Sequence, residues 1–162
     1  MLNAQFFTDT GQYREKNEDA GGIFYNQTHQ QLLVLCDGMG GHKAGEVASQ
    51  FVTHKLQEYF ERENFIELEQ AELWLRKTLK DINIELFEYA TTNEVYRGMG
   101  TTCVCVLIFD NKIVVANIGD SRAYVINSRE IEQITHDHSF VNHLVMTGQI
   151  TEEEAFNHPQ RN

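Results

Sequence analysis

The run Leu32-Leu33-Val34-Leu35-Cys36-Asp37 leads directly into Gly38-Met39-Gly40-Gly41-His42. An apolar strand ending in a carboxylate holds that carboxylate rigidly. A loop with almost no side chains then lets a small charged guest approach the backbone. Oxygen donors of this kind suit a hard cation such as Mg2+, Mn2+ or Ca2+, alone or with a phosphate. Two further places put carboxylates at strand ends or tight turns: Glu18-Asp19 and Asp120. Acidic residues are poor strand formers and costly to bury unpaired, and a metal centre satisfies several at once. The alternative for any single Asp is a turn cap. Three glycines in the four positions after Asp37 are harder to account for that way, because each costs backbone entropy.

The elements that must position these carboxylates follow from periodicity. Ala4–Thr10 reads as a first strand. Asp19–Tyr25 and Gln31–Asp37 read as a strand pair joined by the polar turn at 26–30. Ala44–Glu61 is helical, with Val47, Phe51, Leu56 and Tyr59 on its apolar side. Glu67–Thr91 is a second helix, striped by Ala71, Trp74, Leu75, Leu79, Ile82, Leu86 and Phe87. The period then shortens: Gly100–Phe109, Ile113–Asn117 and Ser121–Asn127 read as consecutive antiparallel strands, and Ile131–Ile134 as a short one. Phe140–Met146 and Glu152–Phe156 are predicted as two short helices. Strands, two helices and more strands imply an α+β domain with antiparallel sheets covered by helices.

Composition narrows the function classes. The chain has 162 residues, 41% of them hydrophobic, which suits one domain with a real core. A net charge of -11 argues against a nucleic-acid partner, whose phosphates need Lys and Arg. It is compatible with a phosphorylated substrate if a metal supplies local positive charge. The three cysteines, Cys36, Cys103 and Cys105, fit reduced thiols in a cytosolic protein. Cys103 and Cys105 share a strand face, where core packing and a zinc pair are the two readings. No apolar run approaches the ~20 residues that span a bilayer, so a cytoplasmic chain without membrane insertion is expected.

The acidic segments also carry a family resemblance. Gly11-Gln12-Tyr13-Arg14-Glu15-Lys16-Asn17-Glu18-Asp19 and Asp37-Gly38-Met39-Gly40-Gly41-His42 resemble the first two motifs of the metal-dependent type 2C serine/threonine protein phosphatases. Gly98-Met99-Gly100-Thr101-Thr102 and Asn117-Ile118-Gly119-Asp120-Ser121-Arg122-Ala123-Tyr124 resemble two more. Thr135-His136-Asp137-His138-Ser139 and His158-Pro159-Gln160-Arg161-Asn162 are similar to the bacterial, stand-alone branch. The motifs occur in order and with ordinary spacing from Phe7 to Asn162.

The resemblance implies a four-layer α-β-β-α sandwich of two antiparallel sheets flanked by helices. It also implies two or three Mn2+ or Mg2+ ions at one edge. Asp37 would bridge two core ions, and the Gly38 carbonyl would bind one of them, which accounts for a residue without a side chain. Glu18 and Asp19 would hold metals directly or through water, and Asp120 would bind the weaker third ion. Arg14 would grip the substrate phosphate with two nitrogens. The implied reaction is hydrolysis of phosphoserine or phosphothreonine by a hydroxide bridging two metals.

His42 is a candidate general acid, with a structural loop role or water as the alternatives. The acid histidine of eukaryotic members directly follows the Asp-Gly pair, where this chain has Met39. His136, His138, His143 and His158 read as surface or flap residues, and Ser121, Arg122 and Ser139 as turn-fixing. The segment 136–162 resembles the family's flap, a subdomain beside the active site.

Family members carry two further motifs, an Asp-Gly pair and an Asp-Asn pair, that complete the core metal site. Neither is found here, so 1–162 is expected to be an N-terminal portion of the catalytic domain, weak or inactive alone. It would lack central strands and be open to self-association through sheet edges. Phosphoserine and phosphothreonine proteins are the implied partners, together with a cognate serine/threonine kinase. The competing readings are an inactive phosphate- or protein-binding module of the same fold and a calcium-binding structural domain. The latter lacks the regular Asp spacing of a calcium loop.

Overall fold

The structure, a computed structural model, describes residues 3–40 and 44–160. Strands β1 (Asp19–Tyr25) and β2 (Gln31–Met39) pair antiparallel from Tyr25↔Gln31 to Asp19↔Asp37. Their turn is built by the buried Asn26, whose Oδ1 accepts from the backbone N–H groups of Thr28 and Gln30. The other long strand, β4 (Cys103–Ile108), pairs with β2 on its far side, and β5 (Ile113–Ile118) follows at the edge. A two-residue strand, β3 (Gly100–Thr101), extends the β4 line and pairs with β2 at Gly38↔Thr101 and Met39↔Gly100. The sheet order is therefore β1-β2-β4-β5, with β3 on β2.

Side-chain alternation divides β2 between two faces. Leu32, Val34 and Cys36 are buried under helices α1 (Ala44–Arg62) and α2 (Leu68–Thr91), whereas Leu33, Leu35 and Asp37 point to the opposite face. α1 lies over β1 and β2, and α2 packs on α1 and β5. The buried side of α1 is Ala48, Val52, Leu56 and Phe60, at the i, i+4 spacing of one helix face. Val47, Phe51 and Tyr59, expected on that face, flank it and are only partly buried. On α2 the expected stripe holds for Ala71, Leu75, Leu79, Ile82 and Leu86, with Trp74 at its margin. Phe87 departs from it and is 72% exposed, because the core-facing line passes through Ile82 and Leu86 and leaves the next position turned outward. Cys36, Cys103 and Cys105 are all buried free thiols in this core, and no zinc cluster forms among the described residues.

Two other expectations are corrected. Ala4–Thr10 forms no strand, since among the described residues it has no ladder partner. Instead Phe6 lies over Gly21, where a Cβ would come within 2.6 Å of its ring. Ser121–Asn127 does not continue the sheet from β5. Its first residues are held by side-chain bonds described below, and only β6 (Tyr124–Ile126) is a strand, paired with β7 (Ile131–Gln133) in a separate two-stranded sheet. Beyond it, α3 (Phe140–Met146) is N-capped by Ser139, and α4 (Glu152–Phe156) carries a Thr151–Glu154 capping box. The result is the expected α+β fold with two antiparallel sheets and helices. α1 and α2 form one outer layer, and the five-stranded sheet lies beneath it.

The closest approach of helix to sheet occurs at the end of β2. A Cβ on Gly38 would sit 2.0 Å from the Gly45 carbonyl oxygen and 2.7 Å from that of Glu18. Conversely, a Cβ on Gly45 would sit 2.9 Å from the Gly38 carbonyl carbon. Two residues without side chains thus let the first turn of α1 rest on the strand. Gly38→Ala is expected to destabilise the protein by about 1–3 kcal/mol through backbone displacement, read as a lower midpoint in urea unfolding.

Candidate active site

The site grows from one row across the larger sheet. Asp19 is directly opposite Asp37 on one side. On the other, the register Gly38↔Thr101 and Leu35↔Val104 places Thr102 opposite Asp37 with no residue inserted. The regular ladder is interrupted there. Thr102 N donates to the Asp37 carbonyl at 2.9 Å, but Asp37 N donates to the Thr102 hydroxyl Oγ1 at 3.0 Å rather than to a main-chain carbonyl. The same hydroxyl lies 2.6 Å from Ser121 Oγ. Gly119 completes the row, with φ +98° and so little space that a Cβ would meet Thr102 Cγ2 at 2.8 Å. A left-handed glycine at the end of β5 lets the chain turn so that Asp120 and Ser121 follow immediately.

Electrostatics show which side chains this row gathers. Burial pushes the Asp37 carboxyl above its ordinary value, and repulsion from Asp19 and then Asp120 pushes it further, while Arg14 partly offsets the rise. The charges of Asp19, Asp120 and Arg14 thus all act on Asp37, and the ladder sets Asp19 directly across from it. Like charges directly opposite on adjacent strands are destabilising, and a bound cation would offset that repulsion. The donors are all oxygens, which fits Mg2+ or Mn2+. Among the described residues, no three His, Cys, Asp or Glu side chains close around a single point.

Glu18 is placed differently. Its carbonyl accepts from Gly38 N at 3.1 Å and from the buried Ser49 hydroxyl at 2.6 Å. Its carboxylate lies against the first turn of α1, within 2.8 Å of where a Gly45 Cβ would be. That is a favourable position for an anion at a helix N-terminus. Gly38 is buried at this crossing, so the absence of a side chain there has a steric cause independent of any metal. His42 lies outside the described residues. Arg14 is exposed in the loop before β1, whose exit is tied by Asn17: its Oδ1 accepts from Asp19 N and its Nδ2 donates to Thr8 Oγ1.

Sequence reasoning assigned no role to Gly45, Ser49 or Thr102. The first two had a signal, since Ala44, Gly45, Ala48 and Ser49 make one side of α1 small and so permit close approach. Thr102 stood in the Gly98–Thr102 motif, but nothing there named its partners, which lie 65 and 19 residues away. Arg122 is the further link to the region after β7. It grips Asp137 with two nitrogens at 2.8 and 2.6 Å, which holds the Asp137 carboxyl below the usual carboxylate range. His138 N also donates to the Gly119 carbonyl at 2.8 Å, so the segment leading to α3 is anchored beside Asp120.

This α+β fold of antiparallel sheets and helices, with acidic strand ends and an arginine loop, is shared with a family of protein phosphatases. Residues 12–162 match the family model described as Protein phosphatase 2C. The chain belongs to the protein phosphatase 2C family. It is 42% identical over 162 residues to the serine/threonine phosphatase stp of Listeria monocytogenes, covering 99% of this chain and 64% of that protein. It is similar to the crystal structure of the serine/threonine phosphatase Stp1 from Staphylococcus aureus, with 75% identity and a TM-score of 0.94, covering 99% of this chain and 63% of that one. It also resembles the catalytic domain of the phosphatase PstP, solved in complex with two manganese ions, at 39% identity and a TM-score of 0.74, covering 91% and 60% of the two chains. The chain thus spans less than two thirds of the length of these relatives. Among the described residues, no helix is long and apolar enough to cross a membrane.

The raised Asp37 carboxyl predicts a pH dependence in metal-free protein. The folded state holds the Asp37 proton more tightly than the unfolded chain does, so Asp37 favours folding in acid, and this contribution is lost as pH rises through its elevated value. Asp37→Asn is therefore expected to be more stable than wild type near neutrality, by roughly 0.5 kcal/mol. The difference should vanish below the ordinary carboxylate range. Urea midpoints measured against pH in a chelator check this.

Proposed function

We propose that this chain carries the N-terminal part of the catalytic centre of a metal-dependent protein serine/threonine phosphatase. The observation that carries this reading is Asp19 directly across the ladder from Asp37 at one end of the larger sheet, where the charges of Asp120 and Arg14 also act on Asp37. Mn2+ or Mg2+ ions bound there supply a water acidified to near neutrality and positive charge for the phosphoryl oxygens. Asp37 would hold the core ions, with the Gly38 carbonyl beside it. Asp19 lies across the ladder from Asp37 on the same side. Glu18 has only its carboxylate to offer an ion, since its carbonyl is committed to Gly38 and Ser49. Asp120 is the ligand for a third ion. Arg14 holds the phosphate of a phosphoserine or phosphothreonine substrate through two nitrogens and offsets charge on its oxygens. His42 is the candidate proton donor to the departing alkoxide. The segment from His136, anchored by Arg122–Asp137, serves as the flap beside the site. Phosphoproteins and an opposing serine/threonine kinase are the proposed partners, in the cytoplasm. Self-association through the edge strands β1 and β5 is a further proposal.

A second reading is favoured by the described residues, among which no three His, Cys, Asp or Glu side chains close around one point. In it, the chain alone is an inactive module that retains a phosphate or protein contact through Arg14. Two measurements separate them. Mn2+-dependent phosphate release from a phosphothreonine peptide is expected from the chain extended to its relatives' length. Asp37→Ala should lower it by at least about 100-fold, roughly 2.7 kcal/mol. An extended chain with no metal-dependent turnover would sink the phosphatase reading. Calorimetric titration of Mn2+ into the 162-residue chain gives the other: tight two-site binding contradicts the module reading, and its loss in Asp37→Ala supports the ligand role.

A further inference from the structure

We infer that Thr102 is a positioning residue that sets Asp37 relative to the Asp120 loop through a single buried hydroxyl. The inference rests on the phosphatase reading only for its catalytic consequence. Thr102 is 2% exposed, so its hydroxyl has no recourse to bulk water. It accepts the Asp37 amide N–H that a regular ladder would pair with a main-chain carbonyl, and it shares its other bond with Ser121, the residue after Asp120. The carbonyl of Thr102 is in turn engaged by Thr101 Oγ1 at 2.9 Å. The chain has therefore exchanged a main-chain acceptor for a side-chain one at the residue whose carboxylate the site is built around.

The exchange has a physical use. A main-chain carbonyl at that position would hold the Asp37 amide but would leave the Asp120 loop untied. A hydroxyl can accept from one side and bond to a second group at the same time. Gly119 is needed for the arrangement, since any side chain there would collide with the Thr102 methyl. Asp37 and the residue that follows Asp120 are thereby coupled through two hydrogen bonds. A shift of the Asp120 loop must be felt at the Asp37 amide.

The test uses the metal-free chain, with Mn2+ as a separate probe. Thr102→Val keeps the shape and leaves the Asp37 N–H buried without an acceptor. Thr102→Ser keeps the hydroxyl. Loss of this bond, worth on the order of 1.4 kcal/mol, should speed exchange of the Asp37 amide about tenfold in the Val variant. The Ser variant should stay within about twofold of wild type on the same scale. The amides of Leu33 and Leu107, which report the rest of the sheet, should not change. Equal protection of Asp37 in wild type and Thr102→Val overturns the inference.

Should the Val variant fail to fold, Ser121→Ala decides. It cuts only the link toward Asp120 and should shift the Asp37 amide 15N resonance, which an uncoupled pair would leave in place. Mn2+ affinity adds the functional arm, with a loss of about 10-fold expected in Thr102→Val and rescue in Thr102→Ser. If wild type itself binds no Mn2+, the metal-centre reading fails for this chain, while the amide measurements still decide the role of Thr102.

Discussion

The contact on which this structure depends is the crossing of Gly38, Gly45 and the Glu18 backbone. No Cβ fits on either glycine, so the first turn of α1 rests directly on the end of β2. This approach places Ser49 where its hydroxyl bonds the Glu18 carbonyl, which in turn receives the Gly38 amide. Start of β1, end of β2 and start of α1 become one rigid corner. The core along α1 follows from it, because Ala48, Val52, Leu56 and Phe60 face the sheet once the first turn is in place.

A rigid corner is what permits charge to be concentrated beside it. Asp19 and Asp37 are held as direct neighbours across the ladder, and Asp120 is brought toward them by the Gly119 turn. Free carboxylates would move apart, but the pairing of β1 with β2 and the two bonds from the Asp37 backbone to Thr102 prevent that. The cost appears as a carboxyl held above its ordinary range, and binding a cation is the natural relief. The correction to the expected strand at 121–127 has a related origin. Ser121 and Arg122 do not continue a strand because their side chains bond Thr102 and Asp137, which pulls the chain out of the sheet plane.

Much of this was legible in the residues. Periodicity located both long helices and the central strands to within three residues, because a helix or strand buried on one face must repeat its apolar positions. The elements that were misjudged lacked a partner the pattern could reveal. Ala4–Thr10 has strand-like composition, but strand formation requires a neighbour, and Phe6 packs on Gly21 without one. Phe87 looked like core because the α2 stripe was drawn one position too wide. Asp37 and its glycines stood out because an acidic residue and a run of glycines are costly unless something uses them.

The sequence by itself determined which residue types were present to do chemistry: carboxylates at strand ends, an arginine loop, and glycines where side chains are excluded. The ordered motifs also tied the chain to its family. Only the tertiary structure decided how those groups meet. It gave Gly38 a steric reason, turned the Glu18 carboxylate toward the start of α1, and made the hydroxyl of Thr102 the joint between Asp37 and Ser121. The physical reason is range. Periodicity and turn chemistry act over a few residues, whereas these contacts join positions 19 to 65 residues apart and exist only once the strands are in register.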